Sequence, residues 1–471
     1  MSITAAEFER VFGPESRGET IEERAASSRR IFVRSQIQLA EDNEVAQGHR
    51  LSASEAYRLF GWDLLSEIAD EGAVTLVSRG DEPASTLRSR RVQLNLTSVQ
   101  LARSAGVPTE DVEKAEISGT VLPIRILERI AQALALNEHL IGYVAGAWGD
   151  KALSVRLREI SQSGDAQHFS ANDVLALTEA AWVIQRQSEL AKILNGETFS
   201  SVRNRFQQDG NYSYPAYEKG YFLAAKTRQL LNLGPIQPIS NLKDLVEKDL
   251  RIPVVQQKLA DRFAGATIAN GSERGIVVNE NGQNSNVWVR RMTIAHEVGH
   301  LLWDPDSRLN KLKVDQYDDL ESDYLNSSTR DPVEIRANAF AISFLAPPDG
   351  VSDIVTHSTN ITQAVSDVMS TYGISATAAK FHVKNITERN VSGATRNLPI
   401  PSDDWIGREN LTVDWFPIQD TPISRRGRFA YFVTGAFRKG LISSDTGAQY
   451  LRANENEFVQ NADMIFGIFD N

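Results

Sequence analysis

Five consecutive residues carry the clearest chemical signal in the chain: His296, Glu297, Val298, Gly299 and His300. Four residues make just over one turn of an α-helix, so the two histidines would stand one above the other on one helical face. Two imidazoles placed in this way can bind one zinc ion at distances of about 2.0–2.1 Å. Glu297 follows the first histidine, where its carboxylate can take a proton from a water in an open metal position. An amphipathic helix with two partly buried histidines remains the alternative on these five residues alone.

A catalytic zinc site needs a third protein ligand. Because the chain contains no cysteine, this ligand must be another histidine or a carboxylate. Glu334 is the best candidate, since it begins a predicted helix whose apolar stripe would dock on the helix that carries the histidines. The stripe consists of Ala337, Phe340, Ala341 and Phe344. The alternative for Glu334 is a solvated carboxylate in the first helical turn, where the helix dipole favours negative charge.

Other candidates surround this group. Asp304 follows His300 by four residues, so its carboxylate could hold the free ring nitrogen of that histidine; a solvated helix end is the alternative. The histidines in largely polar surroundings are expected at the surface: His49, His139, His168 and His357. For His382, in an apolar helical stretch, we expect a packed core position.

Short β patterns precede the helix that carries the two histidines, at residues 252–255, 265–269 and 274–278. Asn270-Gly271-Ser272 between the last two is typical of a hairpin turn. These patterns predict a small antiparallel sheet, whose edge could align an extended peptide by strand addition. After the helix, an acidic stretch predicts a loop or lid; it contains Asp304, Asp306, Asp315, Asp318, Asp319, Glu321 and Asp323.

A second motif occupies residues 96–136 and predicts a helix, a tight turn at Gly106 and a new helix that begins at Thr109. Leu-Thr-x-x-x-Leu-Ala, Gly-Val-Pro and a closing Ile-Ala-x-x-Leu resemble an Xre-type helix-turn-helix domain. The second helix would enter the major groove, yet it carries Glu110, Asp111, Glu113 and Glu116 against only Lys114. Because phosphates repel carboxylates, a module for protein contacts remains an equal alternative. The candidate DNA-binding residues are Arg88, Arg90, Arg91 and Arg103.

Composition limits the broad class. The 471 residues are 41% hydrophobic and 24% charged, as in an ordinary globular protein of two to four domains. The formal net charge of −11 argues against a surface that binds nucleic acid everywhere. The polar first ten residues do not look like a signal peptide, and no apolar run is long enough for a membrane span. We therefore expect a cytoplasmic protein without a membrane partner.

The peptidase motifs resemble those of the ImmA/IrrE-type metallo-endopeptidases over roughly residues 217–349. The resemblance rests on Arg-Met-Thr-Ile-Ala-His-Glu-Val-Gly-His-Leu-Leu at 291–302, on Glu-x-x-Ala-Asn-x-Phe-Ala from 334, and on Leu-x-Pro from 345. It implies that His296, His300 and Glu334 bind Zn²⁺ and that Glu297 activates water. Where the family ends this helix with Leu-Leu-Met-Pro, the chain has Phe-Leu-Ala-Pro at 344–347, outside the chemistry.

The expected fold is α+β and mainly helical: a zincin-like peptidase core, with a small antiparallel sheet and the His-Glu-x-x-His helix, flanked by helix-turn-helix-like helical domains. Five segments are predicted: a charged, helix-rich N-terminal extension (1–85), an Xre-type helix-turn-helix-like domain (86–143), a helical connector and linker (144–215), a zinc metallopeptidase domain (216–349), and a C-terminal helical domain that is helix-turn-helix-like or sensing (350–471).

The predicted function is a zinc-dependent endopeptidase that performs limited proteolysis on a partner regulator. The resemblance implies a helix-turn-helix repressor as substrate, encoded nearby, in a stress, mobile-element or phage-defence response. The alternative is a DNA-binding transcription regulator that uses the peptidase-like fold for ligand sensing or dimerisation. DNA contact through residues 86–143 and a homodimer are further options. The complete ligand set favours the peptidase, because a scaffold has no chemical need for Glu297.

Overall fold

The computed structural model of the chain describes residues 3–144, 153, 169–196, 198–206, 215–270, 272–309, 313–316, 331–394, 397–409 and 416–469. Contacts divide the chain into two compact units. Unit 1 comprises residues 1–196 and 412–471, and unit 2 comprises residues 197–411. Within the predicted connector and linker (144–215), residues 145–152, 154–168, 197 and 207–214 lie outside the described residues.

Unit 1 begins with a small antiparallel sheet that the sequence did not lead us to expect in a helix-rich segment. Its strands are β1 (Ile31–Arg34), β2 (Gln38–Glu41), β3 (His49–Ser52) and β4 (Ala73–Thr75), in the order β3-β1-β2-β4. Helices α1 (Ala5–Phe12), α2 (Ile21–Ser27) and α3 (Ala53–Glu71) accompany the sheet. Strands of three or four residues are too short for a clear alternation of apolar and polar positions, which explains why β1, β2 and β3 were not predicted.

A run of helices follows: α4 (Ala84–Gln93), α5 (Ser98–Ala105), α6 (Thr109–Ala115), α7 (Ile124–Ala133) and α8 (Ala171–Asn195). Thr97 and Gln100 form a capping box at the start of α5, and Gly106 ends that helix with φ 66°, a conformation that glycine adopts at little cost. The two helices α5 and α6 lie where the helix-turn-helix-like pattern falls. Membership of the Xre type stays a prediction.

Unit 2 is built on helices α9 (Phe199–Arg203), α10 (Ala216–Leu230) and α11 (Leu242–Asp244), with a π-helical segment at Leu245–Asp249. A sheet of order β5-β7-β6-β8 follows, made of β5 (Val254–Gln257), β6 (Phe263–Asn270), β7 (Glu273–Asn279) and β8 (Lys313–Gln316). The hairpin of β6 and β7 is antiparallel as expected, but β5 pairs with β7 in parallel. The sheet is therefore mixed.

The remaining helices of unit 2 are α12 (Val287–Trp303), α13 (Asp306–Leu309), α14 (Pro332–Leu345), α15 (Pro348–His357), α16 (Ile361–Tyr372), α17 (Ala376–Thr387) and α18 (Asp403–Arg408). Within the acidic stretch expected as a loop or lid, residues 313–316 form β8. Residues 310–312 and 317–330 of that stretch lie outside the described residues. The mainly helical α+β fold is confirmed.

Helix α14 lies in close contact with both α10 and α12. A Cβ atom at Gly220 of α10 would lie 2.5 Å from the carbonyl oxygen of Arg336, and one at Gly299 of α12 would lie 2.8 Å from Cδ1 of Phe340. Arg228 of α10 donates a hydrogen bond of 2.7 Å to the carbonyl of Phe344 at the end of α14. Glycine at these two positions therefore permits the close packing of the three helices.

The C-terminal helices α19 (Arg428–Arg438), α20 (Ser444–Leu451) and α21 (Glu455–Phe469) belong to unit 1, and a buried polar network connects α20 with β3 and α7. His49 of β3 contacts Glu128 of α7 through Nδ1 at 2.7 Å. Its Nε2 contacts the hydroxyl of Thr446 in α20 at 2.8 Å. One side chain therefore joins three distant segments of the chain.

The expectation that four histidines lie at the surface is wrong for two of them. His49 and His139 are buried in unit 1, because partners far along the chain contact both ring nitrogens of His49 and Nε2 of His139. His357 is exposed as expected, and His168 lies outside the described residues. Among the described helices, none combines the length and the apolar character that a membrane span requires.

His382 of α17 lies in the core of unit 2, as expected. Its Nε2 donates a hydrogen bond of 2.6 Å to the carbonyl of Ala346, and Nδ1 lies 2.9 Å from the hydroxyl of Tyr221. Burial lowers the pKa of His382 to about 4, despite the carbonyl, which acts in the opposite direction. The neutral ring satisfies both partners, since the hydroxyl of Tyr221 can donate to Nδ1.

We expect His382 to make the folded state of unit 2 less stable in acid. The unfolded chain binds a proton near pH 6.5 and the folded chain only near pH 4, so stability is lost as the pH falls between these values. The loss would reach about 3 kcal/mol near pH 4. His382→Gln should flatten the pH dependence of the unfolding free energy, measured by denaturant titration with a chelator present. The exposed His357→Gln serves as the control, and equal slopes for both variants would contradict this role.

Candidate metal centre and active site

Helix α12 is anchored one turn before the first candidate ligand. Arg291 is fully buried and donates hydrogen bonds to the carbonyls of Ile239 at 2.8 Å and Gly373 at 3.0 Å. Its guanidinium also forms an ion pair with the buried carboxylate of Glu409. A buried charge of this kind is tolerated only when it is paired and hydrogen-bonded. The contacts set the position of the helix that carries His296.

The structure brings the three predicted ligands together. The Nε2 atoms of His296 and His300 lie 2.9 Å apart. Each Nε2 lies 3.4 Å from Oε2 of Glu334. A tetrahedral zinc with ligands at about 2.0–2.2 Å separates its ligand atoms by roughly 3.4 Å. Two imidazoles and one carboxylate are also a usual donor set for catalytic zinc, so the residues present fit this ion.

The other ring nitrogen of each histidine has its own partner. Nδ1 of His300 donates to Oδ2 of Asp304 at 2.8 Å, and Nδ1 of His296 donates to Oδ1 of Asn338 at 2.7 Å. Such bonds fix the tautomer that leaves Nε2 free to bind a metal. Sequence reasoning assigned no role to Asn338. Its spacing of four residues from Glu334, on the same face of α14, was the available signal.

Asp304 is itself held by several cations. Arg336 forms an ion pair with its carboxylate, and Arg308 lies 3.7 Å from Oδ2. Arg203 of α9 donates to the backbone carbonyl of Asp304 at 2.5 Å. The carboxylate that orients His300 is therefore fixed from both sides, and its charge is compensated.

Glu297 faces β6. Its Oε2 accepts a hydrogen bond of 2.6 Å from the hydroxyl of Thr267. A Cβ atom at Gly265 would lie 2.8 Å from Cγ2 of Thr293 and 3.6 Å from Oε1 of Glu297. The backbone of β6 therefore passes directly beside the carboxylate. Thr267 was missed, because a threonine in a strand does not reveal a partner on a helix thirty residues later.

The electrostatics favour an ionised carboxylate on α14. Burial by itself would raise the pKa of Glu334, but the neighbouring imidazoles of His296 and His300 lower this pKa well below its usual range. Glu334 is thus a charged ligand oxygen positioned between two ring nitrogens.

A second group of histidines and a carboxylate also has close ligand atoms within the described residues: His49, Glu128 and His139. Both ring nitrogens of His49 are already engaged, by Glu128 and by Thr446. The buried guanidinium of Arg34 lies 3.6 Å from Glu128, where it would repel a metal cation. This group is a hydrogen-bond network within unit 1.

The four arginines proposed for DNA contact occupy different surroundings. Arg88 and Arg103 are exposed. Arg90 is fully buried, and its Nε donates to the carbonyl of Leu134 at 3.0 Å. Arg91 forms a bidentate pair with Glu116 at 2.6 and 2.7 Å. Two of the four guanidiniums therefore already serve contacts inside unit 1.

Residues 252–384 match the family model Peptidase_M78, described as an IrrE N-terminal-like domain. The match covers less than half of the chain, and over these residues it confirms the ImmA/IrrE-type resemblance seen in the sequence. All three candidate ligands and Glu297 fall inside the match. No curated protein matches the chain.

We expect Asn338→Ala to weaken zinc binding by about 10–100-fold, because His296 would lose the acceptor that fixes its tautomer and orientation. A competition titration against a chromophoric chelator measures the change in affinity. Ile335→Ala, on the same helix and half-buried, is the control and should bind zinc normally. Unchanged affinity in Asn338→Ala would show that this hydrogen bond does not support the site.

Proposed function

We propose that the chain is a zinc-dependent endopeptidase that cuts a partner regulator at limited sites. The observation that carries the proposal is the convergence of His296, His300 and Glu334 with Glu297 one position after the first histidine. A bound zinc ion would polarise the scissile carbonyl and lower the pKa of a water molecule, which makes this water a better nucleophile. A binding module would gain nothing from a carboxylate in the position of Glu297.

Residues around the candidate ligands have separate roles in the proposed reaction. Asn338 and Asp304 accept hydrogen bonds from the Nδ1–H groups of the two histidines, so that both Nε2 atoms face Glu334. Glu297, held by Thr267, takes the proton of the attacking water and passes it to the amine that leaves. The low dielectric around these buried groups strengthens each of their electrostatic contacts.

The edge of β6 supports a substrate in an extended conformation. Since β6 runs beside Glu297, a peptide paired with its outer edge would lie across the site. In the structure β8 occupies this edge: it is antiparallel to β6, with Gly265 opposite Asp315 and Thr267 opposite Lys313. We propose that a substrate strand replaces β8 at residues 263–267, so that β8 restrains the enzyme.

The proposed substrate is a helix-turn-helix repressor encoded nearby, in a stress, mobile-element or phage-defence response. Support comes from the family resemblance and from the helix-turn-helix-like pattern at residues 86–143. The alternative, a DNA-binding regulator that uses the peptidase-like fold for sensing or dimerisation, is supported by the exposed side chains of Arg88 and Arg103. It is disfavoured by the internal contacts of Arg90 and Arg91.

We expect Glu297→Gln to bind one zinc ion per chain and to cut at least about 10²-fold more slowly, because the general base is lost while the ligands remain. Incubation of the zinc-loaded protein with the purified repressor, followed by mass spectrometry of fragments, measures cleavage. Glu218→Gln, an exposed change on α10, is the control. Equal cleavage by wild type and Glu297→Gln would refute the assignment.

We expect that replacement of residues 313–316 by a Gly-Ser sequence raises kcat/KM roughly tenfold or more, since a substrate would no longer displace the strand hydrogen bonds of β8. A fluorogenic peptide provides the assay. The same replacement at residues 43–46, in the turn between β2 and β3, is the control. An unchanged rate in an active enzyme would contradict the restraint by β8, whereas inactivity of every variant with zinc bound would contradict the peptidase function.

A further inference from the structure

Unit 1 contains a cavity of about 600 Å³ that the peptidase chemistry does not use. Four segments surround it: α3, the turn Glu138–Leu140, α8, and the C-terminal part of the unit at Ile442 and Tyr450. The volume lies within the range of about 300–1,000 Å³ that is usual for small-molecule sites.

Two buried polar side chains at the cavity have nitrogen atoms without hydrogen-bond partners. Arg186 of α8 is 3% exposed, and its Nε and Nη2 atoms have no hydrogen-bond partner among the described residues. The same is true of Nδ1 of His139, which is 3% exposed. A buried polar group left in this condition destabilises the folded state. Both residues line the cavity, so a ligand could satisfy them.

The unpartnered nitrogens are donors. Burial, together with the positive charge of Arg186, lowers the pKa of His139 well below its usual value, so the ring is neutral. Tyr450, whose pKa is raised by burial, keeps its proton and lies 2.8 Å from Nε2 of His139. If the tyrosine hydroxyl donates to Nε2, the remaining ring proton is on Nδ1. Arg186 and His139 then present N–H groups to an acceptor.

Three cations and two carboxylates line the cavity: Arg58, Arg186 and Lys192, and Glu55 and Glu189. Arg186 pairs with Glu189 through Nη1, while Oε2 of Glu138 lies 3.7 Å from its Nε, too far for a hydrogen bond. Burial raises the pKa of Glu138, which favours its neutral form. Two exposed cations, Arg58 and Lys192, also line the cavity and would attract a negatively charged molecule.

The walls are apolar, with Leu59, Leu140, Leu190, Ile193 and Ile442 along them. We propose that this cavity is a binding site for a small amphipathic carboxylate. The carboxylate oxygens accept hydrogen bonds from Arg186 and His139, and the hydrocarbon part lies against the leucines and isoleucines. Arginine suits this role because its planar fork matches the two oxygens of a carboxylate.

The test uses the full chain and straight-chain carboxylates of four to ten carbons, compared with the alcohols of equal length. Isothermal titration calorimetry should detect at least one carboxylate that binds with a Kd of about 1 mM or tighter and at least about tenfold more tightly than its alcohol. Equal binding of acid and alcohol would overturn the carboxylate assignment. Failure of every carboxylate up to about 10 mM would overturn the proposal.

Variants locate the bound molecule. Arg186→Lys keeps the charge but loses the fork, so it should weaken the tightest carboxylate about tenfold or more. Arg129→Lys, an exposed change outside this cavity, should bind normally. Because Arg186 is buried and its replacement could disturb folding, Ile193→Trp provides a second variant that fills the cavity and should abolish binding. Normal binding by a folded Ile193→Trp would refute this location.

Discussion

The close approach of three helices is the constraint on which the metal centre depends. Helix α14 can supply Glu334 only if it lies against α12, and Gly299 permits this contact because a methyl group there would meet the ring of Phe340 at 2.8 Å. Gly220 likewise permits the close approach of α10 to α14. A glycine within a helix costs about 0.5–1 kcal/mol relative to alanine. The chain accepts this cost twice, and the result is a carboxylate oxygen 3.4 Å from both histidine nitrogens.

The polar contacts around the centre explain how its groups are orientated. His300 donates to a carboxylate whose charge is balanced by Arg336, whereas His296 donates to the neutral amide of Asn338. Both bonds leave Nε2 available for a metal ion. Thr267 holds the carboxylate of Glu297 from the sheet side. A rigid helix and a rigid strand thus position the groups that the proposed hydrolysis needs.

Unit 1 has a different physical organisation. Buried charges and histidines, not a metal centre, connect its sheet, α7 and the C-terminal helices. His49 contacts Glu128 and Thr446, and these bonds bring residues 412–471 into the same compact unit as the N-terminal half. The cavity beside Arg186 and His139 lies within this unit. Recognition of a small molecule and peptide cleavage would therefore be assigned to separate compact parts of one chain.

The sequence by itself determined what depends on local periodicity. The helical repeat puts His296 and His300 on one face, and the apolar stripe of the second helix selected Glu334; hydrophobic patterns also predicted the mainly helical α+β fold. Only the tertiary structure decided which distant groups meet: Thr267 with Glu297, Asn338 with His296, β8 with β6, and the partners that bury His49 and Arg90. The physical reason is that backbone geometry fixes neighbours three or four residues apart, whereas contacts across tens or hundreds of residues depend on how complete elements pack.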